Sequence, residues 1–169
     1  MRYTQTNSKL SWERIHENNL ISVTNTVTTG VYGFGFLNIL MGIENNIIRK
    51  EAGISHLQTV LNFLGNIDRF HGIWPLWMDG NSGTVLPFST MDNGADLLET
   101  ALLCQGLICI REYFKNGNTA EQQLAQKADT LKKGVEWDWF TQGENVLYWH
   151  WSPNFNFEIN LPLWVIMKV

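Results

Sequence analysis

Three carboxylates precede and enter a long apolar stretch near the middle of the chain. Asp92, Asp96 and Glu99 are spaced i, i+4 and i+7, and the apolar run extends from Leu97 to Ile110. If this whole segment is helical, the spacing places the three side chains on one helix face. Like charges at i, i+4 cost roughly a few tenths of a kcal/mol in a helix. The chain must therefore fold around a buried helix whose first turns carry clustered acids.

Each of these acids also has a structural explanation. Asp92 is suited to cap the helix N-terminus, and such a cap stabilises a helix by about 1 kcal/mol. The negative charge of Asp96 in the first turn would interact favourably with the helix dipole. Glu99 lies a turn deeper in apolar sequence, where an ionised side chain is hardest to explain structurally. Clustered carboxylates at the end of an apolar helix are also the groups that acid–base chemistry on sugars uses. From the residues alone both interpretations stay open.

Composition narrows the classes of partner. The 169 residues fit one domain, only 17% of them are charged, and the formal net charge is −4. The one basic cluster, Lys127, Lys132 and Lys133, lies on a polar predicted helix, so no basic stripe follows a nucleic-acid backbone. No apolar run is long enough to span a membrane. We expect neither nucleic acid nor a membrane as partner, and we expect Cys104 and Cys109 to be free thiols.

The eight tryptophans form the second outlying feature. Tryptophan faces stack on the apolar faces of sugars, but large aromatic residues also dominate protein cores. The pairs predicted in loops are the better candidates for substrate binding: Trp74 with Trp77, and Trp149 with Trp151. His71 is a candidate for bonding a sugar hydroxyl. His71, and His150 between two tryptophans, have structural explanations as well.

The pattern of the whole chain predicts an all-α fold. Apolar spacing predicts helices over Val31–Asn45, Arg49–Asn66, Asn93–Phe114 and Thr119–Val135, with buried and exposed helices alternating. This alternation favours stacked helical hairpins with inner and outer layers. Residues 1–20 are expected to be a loose lead-in to a domain over residues 21–169.

Two short hairpins are predicted in the loops. Asp79–Gly83 has the composition of a turn between strands Ile73–Met78 and Val85–Phe88. A second hairpin is expected around Gly143.

Several motifs in a fixed order carry a resemblance to a known family. They are Thr28-Thr29-Gly30-Val31-Tyr32-Gly33-Phe34-Gly35, His71-Gly72-Ile73-Trp74-Pro75, Thr90-Met91-Asp92-Asn93-Gly94-Ala95-Asp96-Leu97-Leu98-Glu99-Thr100, Gln105-Gly106-Leu107 and Val135-Glu136-Trp137-Asp138-Trp139. From about residue 22 to 164 the chain resembles the glycoamylase-like or "putative glucoamylase" family, which includes the endo-β-1,2-glucanases of glycoside hydrolase family 144.

The resemblance implies a fold, an activity and a site. The fold would be an (α/α)6 barrel of inner and outer helices, and the activity would be inverting hydrolysis of a β-glucan, chiefly β-1,2-glucan. Asp92, Asp96 and Glu99 match acids that line the family's catalytic pocket, and no metal or organic cofactor is implied. Family members are commonly periplasmic or secreted. No signal peptide opens this chain, so its own localisation stays unassigned.

The end of the chain departs from the family pattern. Where the family continues with Gly, an aromatic residue, Asn, Glu and Gly, this chain has Val165-Ile166-Met167-Lys168-Val169. Deleting one base from codons for Gly-Tyr-Asn-Glu-Gly produces this very run, which suggests a frameshift. Lys168 then stands where the resemblance expects the second catalytic carboxylate, and a lysine cannot act as the acid at neutral pH without a large fall in its pKa.

We therefore expect the N-terminal portion of a barrel, inactive or nearly so alone, that self-associates through exposed apolar surface. The alternatives are a non-catalytic carbohydrate-binding remnant, a structural fragment, or a relative that performs transglycosylation on cyclic β-1,2-glucan.

Overall fold

The computed structural model describes residues 4–15 and 24–165, with side chains up to residue 162. The predicted all-α class is confirmed in this part of the chain. Its four α-helices are α1 Gly30–Glu44, α2 Lys50–Asn66, α3 Leu97–Phe114 and α4 Thr119–Lys133, and a short 3-10 helix covers Trp139–Thr141. Apart from Val165, the segment of the frameshift hypothesis, including Lys168, lies outside the described residues.

The helices form two hairpins, α1–α2 and α3–α4, that lie side by side in two layers. Helices α1 and α3 run parallel in one layer and touch at glycines. A Cβ on Gly33 would lie 2.1 Å from the Leu102 carbonyl oxygen, and one on Gly106 would lie 2.5 Å from the Gly33 oxygen. Helices α2 and α4 form the other layer, where Lys50 pairs with Glu121 at 2.7 Å.

The core lies between these layers. Its fully buried side chains include Phe36, Leu57, Leu61, Leu64, Leu103, Leu107 and Ile110. Helix α3 is not buried on every side as its sequence predicts, because Gln105 is exposed and Ile108 retains 39% of its accessible surface.

Short antiparallel strand pairs join distant loops at one end of the helices. The strands are β1 Thr26–Thr28, β2 Trp77–Asp79, β3 Ala95–Asp96, β4 Val146–Tyr148, β5 His150–Trp151 and β6 Pro162–Val165, paired as β1–β2, β3–β5 and β4–β6. The predicted hairpin after Ile73 is confirmed in part. Met78 and Val85 form an antiparallel bridge, and the Asp79 and Leu86 N–H groups donate to the Thr84 and Trp77 carbonyls, while β2 also pairs with β1. The hairpin predicted around Gly143 is wrong, since β4 pairs with β6.

Helix α3 begins later than predicted. Asp96 is extended, with φ −119° and ψ 109°, and pairs with His150 across β3–β5, so the helix starts at Leu97 rather than Asn93. Asp92 and Asp96 therefore precede the helix and only Glu99 lies on it. The predicted common helix face of the three acids is wrong.

The lead-in is also more ordered than expected over its described residues. Leu10 has no exposed surface and Trp12 forms a bridge with Val27 of β1. The apolar side chain at position 10 is part of the main core, so residues 4–15 pack onto the domain rather than extend from it.

Two further observations on the described residues concern the cysteines and the apolarity of the helices. Cys104 and Cys109 are free thiols, as predicted. None of the described helices combines the length and the apolarity that crossing a membrane requires.

Candidate active site

Glu99 reaches from the first turn of α3 to the N-terminus of α1. Its Oε2 accepts hydrogen bonds from the Thr28 hydroxyl at 2.8 Å and from the Gly30 N–H at 2.8 Å. A Cβ on Gly30 would lie 2.6 Å from that same oxygen, so glycine is needed for this approach. The parallel arrangement of α1 and α3 brings two helix N-termini together, which favours negative charge between them.

The environment of Glu99 raises its pKa. Burial makes the largest contribution, the hydrogen bonds from Thr28 and Gly30 oppose it, and the neighbouring charge of Asp96 adds to the rise. Among the described residues, Oε1 of Glu99 has no hydrogen-bond partner. This oxygen is therefore the one that a ligand or a water molecule can reach.

Asp96 is committed to holding the site together. It caps α3, because its Oδ1 accepts the Glu99 N–H at 2.9 Å, and the same oxygen accepts the Trp149 indole N–H at 3.0 Å. Its Oδ2 lies 3.4 Å from Nε2 of His150, and the residue is 1% exposed. The N-cap that the sequence suggests for Asp92 is thus supplied by Asp96.

Asp92 belongs to the same cluster through His150. Its Oδ2 lies 3.4 Å from Nε2 of His150, so the imidazole stands between two carboxylates. Burial alone would lower the pKa of His150, but its attraction to Asp92 and Asp96 raises that pKa to about 9. Its Nδ1 is buried and has no partner within the described ranges. His150, which the sequence left unassigned, therefore belongs to the acid cluster.

A network of contacts fixes the loop of the acids against the loop that carries His150. Leu97 N–H donates to the Trp149 carbonyl at 2.9 Å, and Asn93 accepts from the Ser152 hydroxyl at 2.6 Å. A Cβ on Gly94 would lie 2.3 Å from the Trp151 carbonyl oxygen. These contacts hold the acids rigidly, although the two loops are far apart in sequence.

Two of the predicted aromatic platforms flank the acids. Trp149 donates to Asp96, and its ring stacks on His150 at 5.1 Å between centroids. Trp77 pairs with Thr28 across β1–β2 and packs edge to face with Phe88, which is 59% exposed. The Phe88 N–H in turn donates to the Asp92 carbonyl at 3.0 Å.

Trp74 does not present a face to a ligand. It has no exposed surface, its indole N–H donates to the Leu64 carbonyl at 3.1 Å, and the Arg69 guanidinium covers its ring at 3.9 Å. The prediction that Trp74 is a sugar platform is therefore corrected, since the side chain belongs to the core.

His71 and Trp151 lie in a separate aromatic cluster with Trp139. The His71 ring stacks on Trp139 at 3.4 Å and meets the edge of Trp151 at 5.5 Å, and its Nδ1 lies 3.0 Å from Oε2 of Glu136. Within the described residues, no hydrogen bond joins either side chain to the three acids. In the same ranges, no three histidine, cysteine or carboxylate side chains are grouped so as to hold a metal ion.

Solved structures resemble this chain closely over almost its whole length. The endo-β-1,2-glucanase of Chitinophaga pinensis, solved with sophorotriose and glucose, is 45% identical with a TM-score of 0.91, covering 95% of this chain and 39% of that one. A putative glucoamylase from Bacteroides caccae is 43% identical, also with a TM-score of 0.91, covering 94% of this chain and 39% of that one.

A curated relative supports the same similarity to enzymes that act on β-1,2-linked glucans. The exo β-1,2-glucooligosaccharide sophorohydrolase of Parabacteroides distasonis is 38% identical over 165 residues, which is 92% of this chain and 23% of that protein. No family model matches the chain. The resemblance found in the sequence is nevertheless confirmed: the chain is a homologue of these "putative glucoamylases" and β-1,2-glucanases, and it spans only 39% of the length of the matched endo-glucanase.

Proposed function

We propose that this chain carries one side of the catalytic pocket of a β-1,2-glucan hydrolase. The observation that carries the proposal is the meeting of Glu99 with the N-terminus of α1, in a chain that is 45% identical to an endo-β-1,2-glucanase. The side-by-side hairpins, with α1 and α3 parallel, support an incomplete (α/α)6 barrel over residues 21–169, in which α1 and α3 would be inner helices.

Glu99 is the general base in this proposal. Its Oε1 is free among the described residues, and a raised pKa makes a carboxylate a stronger base near neutral pH. In inverting hydrolysis the base takes a proton from water as the water oxygen bonds to the anomeric carbon. The glycosidic bond breaks at the same time, and the departing oxygen takes a proton from an acid on the opposite side. Asp96 and Asp92 position Glu99 rather than react.

Trp77 and Trp149 are the proposed sugar contacts. Trp77 is half-buried beside the exposed Phe88, and Trp149 is tied directly to Asp96. Such rings bind the apolar face of a glucose unit while the acids meet its hydroxyls and ring oxygen. The ligand is a β-glucan or a gluco-oligosaccharide, and neither a cofactor nor a nucleic acid is part of the proposal.

The chain alone is proposed to bind without turnover. It spans 39% of the matched endo-glucanase, and inverting chemistry needs two carboxylates roughly 6.5–9.5 Å apart. Calorimetric titration of the purified chain with sophorotriose tests this directly. We expect heat of binding and no release of reducing ends. If the chain unfolds cooperatively and yet gives no heat, it does not bind this sugar.

The catalytic assignment is tested on a longer chain, expressed after restoring the reading frame that the frameshift hypothesis proposes. That protein is expected to release oligosaccharides from linear β-1,2-glucan, and Glu99→Gln should lower the rate by about 10²-fold or more because the base is lost. Glutamine keeps an oxygen for Thr28 and Gly30, so the fold should survive. Glu136→Gln is the matched control, since Glu136 is exposed and pairs with His71. Equal rates in both variants would show that Glu99 is not the general base.

A further inference from the structure

We propose that His150 is a positioning residue of the acid cluster, an imidazolium that bridges the carboxylates of Asp92 and Asp96 and thereby holds Asp96 in place against Glu99. Its part in catalysis rests on the proposed function, but its charge state is a property of this chain and is testable without substrate. The sequence alone gave His150 no role in the acid cluster.

The geometry favours a cation at this point. Oδ2 of Asp92 and Oδ2 of Asp96 each lie 3.4 Å from the same nitrogen of His150. Both aspartates are buried, at 8% and 1% exposure. An imidazole that faces two buried carboxylates is attracted to both in its charged form, so its protonated state is favoured. Among the described residues, His150 is the one cationic group paired with either.

The imidazole is held in place from several sides. His150 pairs with Asp96 across β3–β5, its ring stacks on Trp149, and its side chain is only 11% exposed. The titratable groups that face this cluster are Asp92 and Asp96 from the loop and Glu99 from the first turn of α3. Burial is the main cause of the raised pKa of Glu99, and the charge of Asp96 adds to it. The mutual attraction of the imidazolium and the aspartates raises the pKa of His150.

Loss of this charge would disturb the site through Asp96. With a neutral side chain at position 150, Oδ2 of Asp96 would lose its charged partner. Asp96 would then be held less firmly, and its Oδ1 is what fixes both the Glu99 N–H and the Trp149 indole. The placement of Glu99 at α1 thus depends on the charge of His150.

Nuclear magnetic resonance on the full chain, labelled in histidine, tests the proposal. The His150 signal, assigned by its loss in His150→Gln, should remain that of an imidazolium, protonated on both nitrogens, at pH 7.5. In Asp92→Asn, which keeps the shape of the side chain and removes its charge, the titration midpoint of His150 should fall by about one pH unit or more. Glu136→Gln is the matched control, because Glu136 pairs with another imidazole, that of His71, and it should leave the His150 midpoint unchanged.

Two outcomes would overturn the proposal: a His150 ring that is neutral at pH 7, or a His150 midpoint that is the same in the wild type and in Asp92→Asn. If His150→Gln fails to fold, the imidazole titration of the wild-type chain decides alone, with assignment through its contact to Trp149. Sophorotriose titration of the same samples separates the two proposals, since a chain that binds no sugar still reports the charge of His150.

Discussion

Two acids three residues apart have opposite roles in this site. Asp96 has both carboxylate oxygens engaged, by Glu99, Trp149 and His150, whereas Glu99 keeps one oxygen free. Sequence spacing cannot separate these roles, because each depends on a residue brought from elsewhere in the chain. Thr28 and Gly30, which fix Glu99, precede it by about seventy positions.

The charge of His150 also predicts how stability depends on pH. Its pKa is about 9 in the folded chain against an ordinary 6.5, because the attraction of Asp92 and Asp96 outweighs burial. A raised folded pKa contributes stability that is complete below pH 6.5 and is lost as the pH rises through 9. At one pKa unit per 1.36 kcal/mol, the contribution is at most about 3 kcal/mol.

Urea unfolding at pH 6 and at pH 9.5 measures this contribution. We expect the wild type to exceed His150→Gln in free energy of unfolding at the lower pH and to lose most of that advantage at the higher one. His71→Gln leaves the cluster intact and should retain the pH dependence of the wild type. A deficit of His150→Gln that is the same at both pH values would mean that packing, and not charge, explains it.

The α-helices were predictable as elements because their apolar spacing is local. Helices α1, α2 and α4 begin and end within two residues of their predicted bounds. Helix α3 begins four residues late, since Asp96 is drawn into a strand pair with His150, a partner that no local pattern reveals. The hairpin predicted around Gly143 failed for the same reason, since β4 pairs with the distant β6, whereas the local turn at Asp79–Gly83 does bring Met78 and Val85 together. The sequence predicted which residue types form the site but not where their side chains lie. Trp74, for example, was predicted to bind sugar and lies in the core.

The contact between α1 and α3 sets the distance between the two helix N-termini, and glycine makes it possible. A Cβ on Gly33 would lie 2.1 Å from a backbone oxygen, which no side-chain rearrangement relieves. Gly33→Ala should therefore force the helices apart and lower the free energy of unfolding by about 1–3 kcal/mol or more. Glu99 would then lose its contact with Gly30.

Gly65 in α2 provides the matched control for this substitution. A Cβ there would meet its nearest neighbour, Leu131, at an ordinary 3.5 Å. Because glycine costs helix stability, Gly65→Ala should be neutral or stabilising by up to about 1 kcal/mol. Urea unfolding of both variants measures the difference. Similar effects of the two substitutions would show that helix propensity, and not the α1–α3 contact, governs both.

At the scale of the whole molecule, one apolar face has no partner within the described residues. Val31, Phe34 and Met41 share a face of α1 and are 53%, 56% and 62% exposed. The matched endo-glucanase is longer, since this chain spans 39% of it. Single exposed apolar residues are ordinary, but several large ones on one helix face favour association.

We expect the chain to self-associate through this α1 face in a concentration-dependent way. Burying a large apolar side chain contributes about 1.5–3 kcal/mol, so each one removed should weaken association about tenfold or more. Phe34→Ser combined with Met41→Ser should shift the chain towards monomer in sedimentation equilibrium. Leu161→Ser, which removes a 46% exposed side chain elsewhere, is the control and should associate like the wild type. A wild-type chain that is monomeric at every concentration would show that this face is stable in contact with solvent. The face would then not need further helices to cover it.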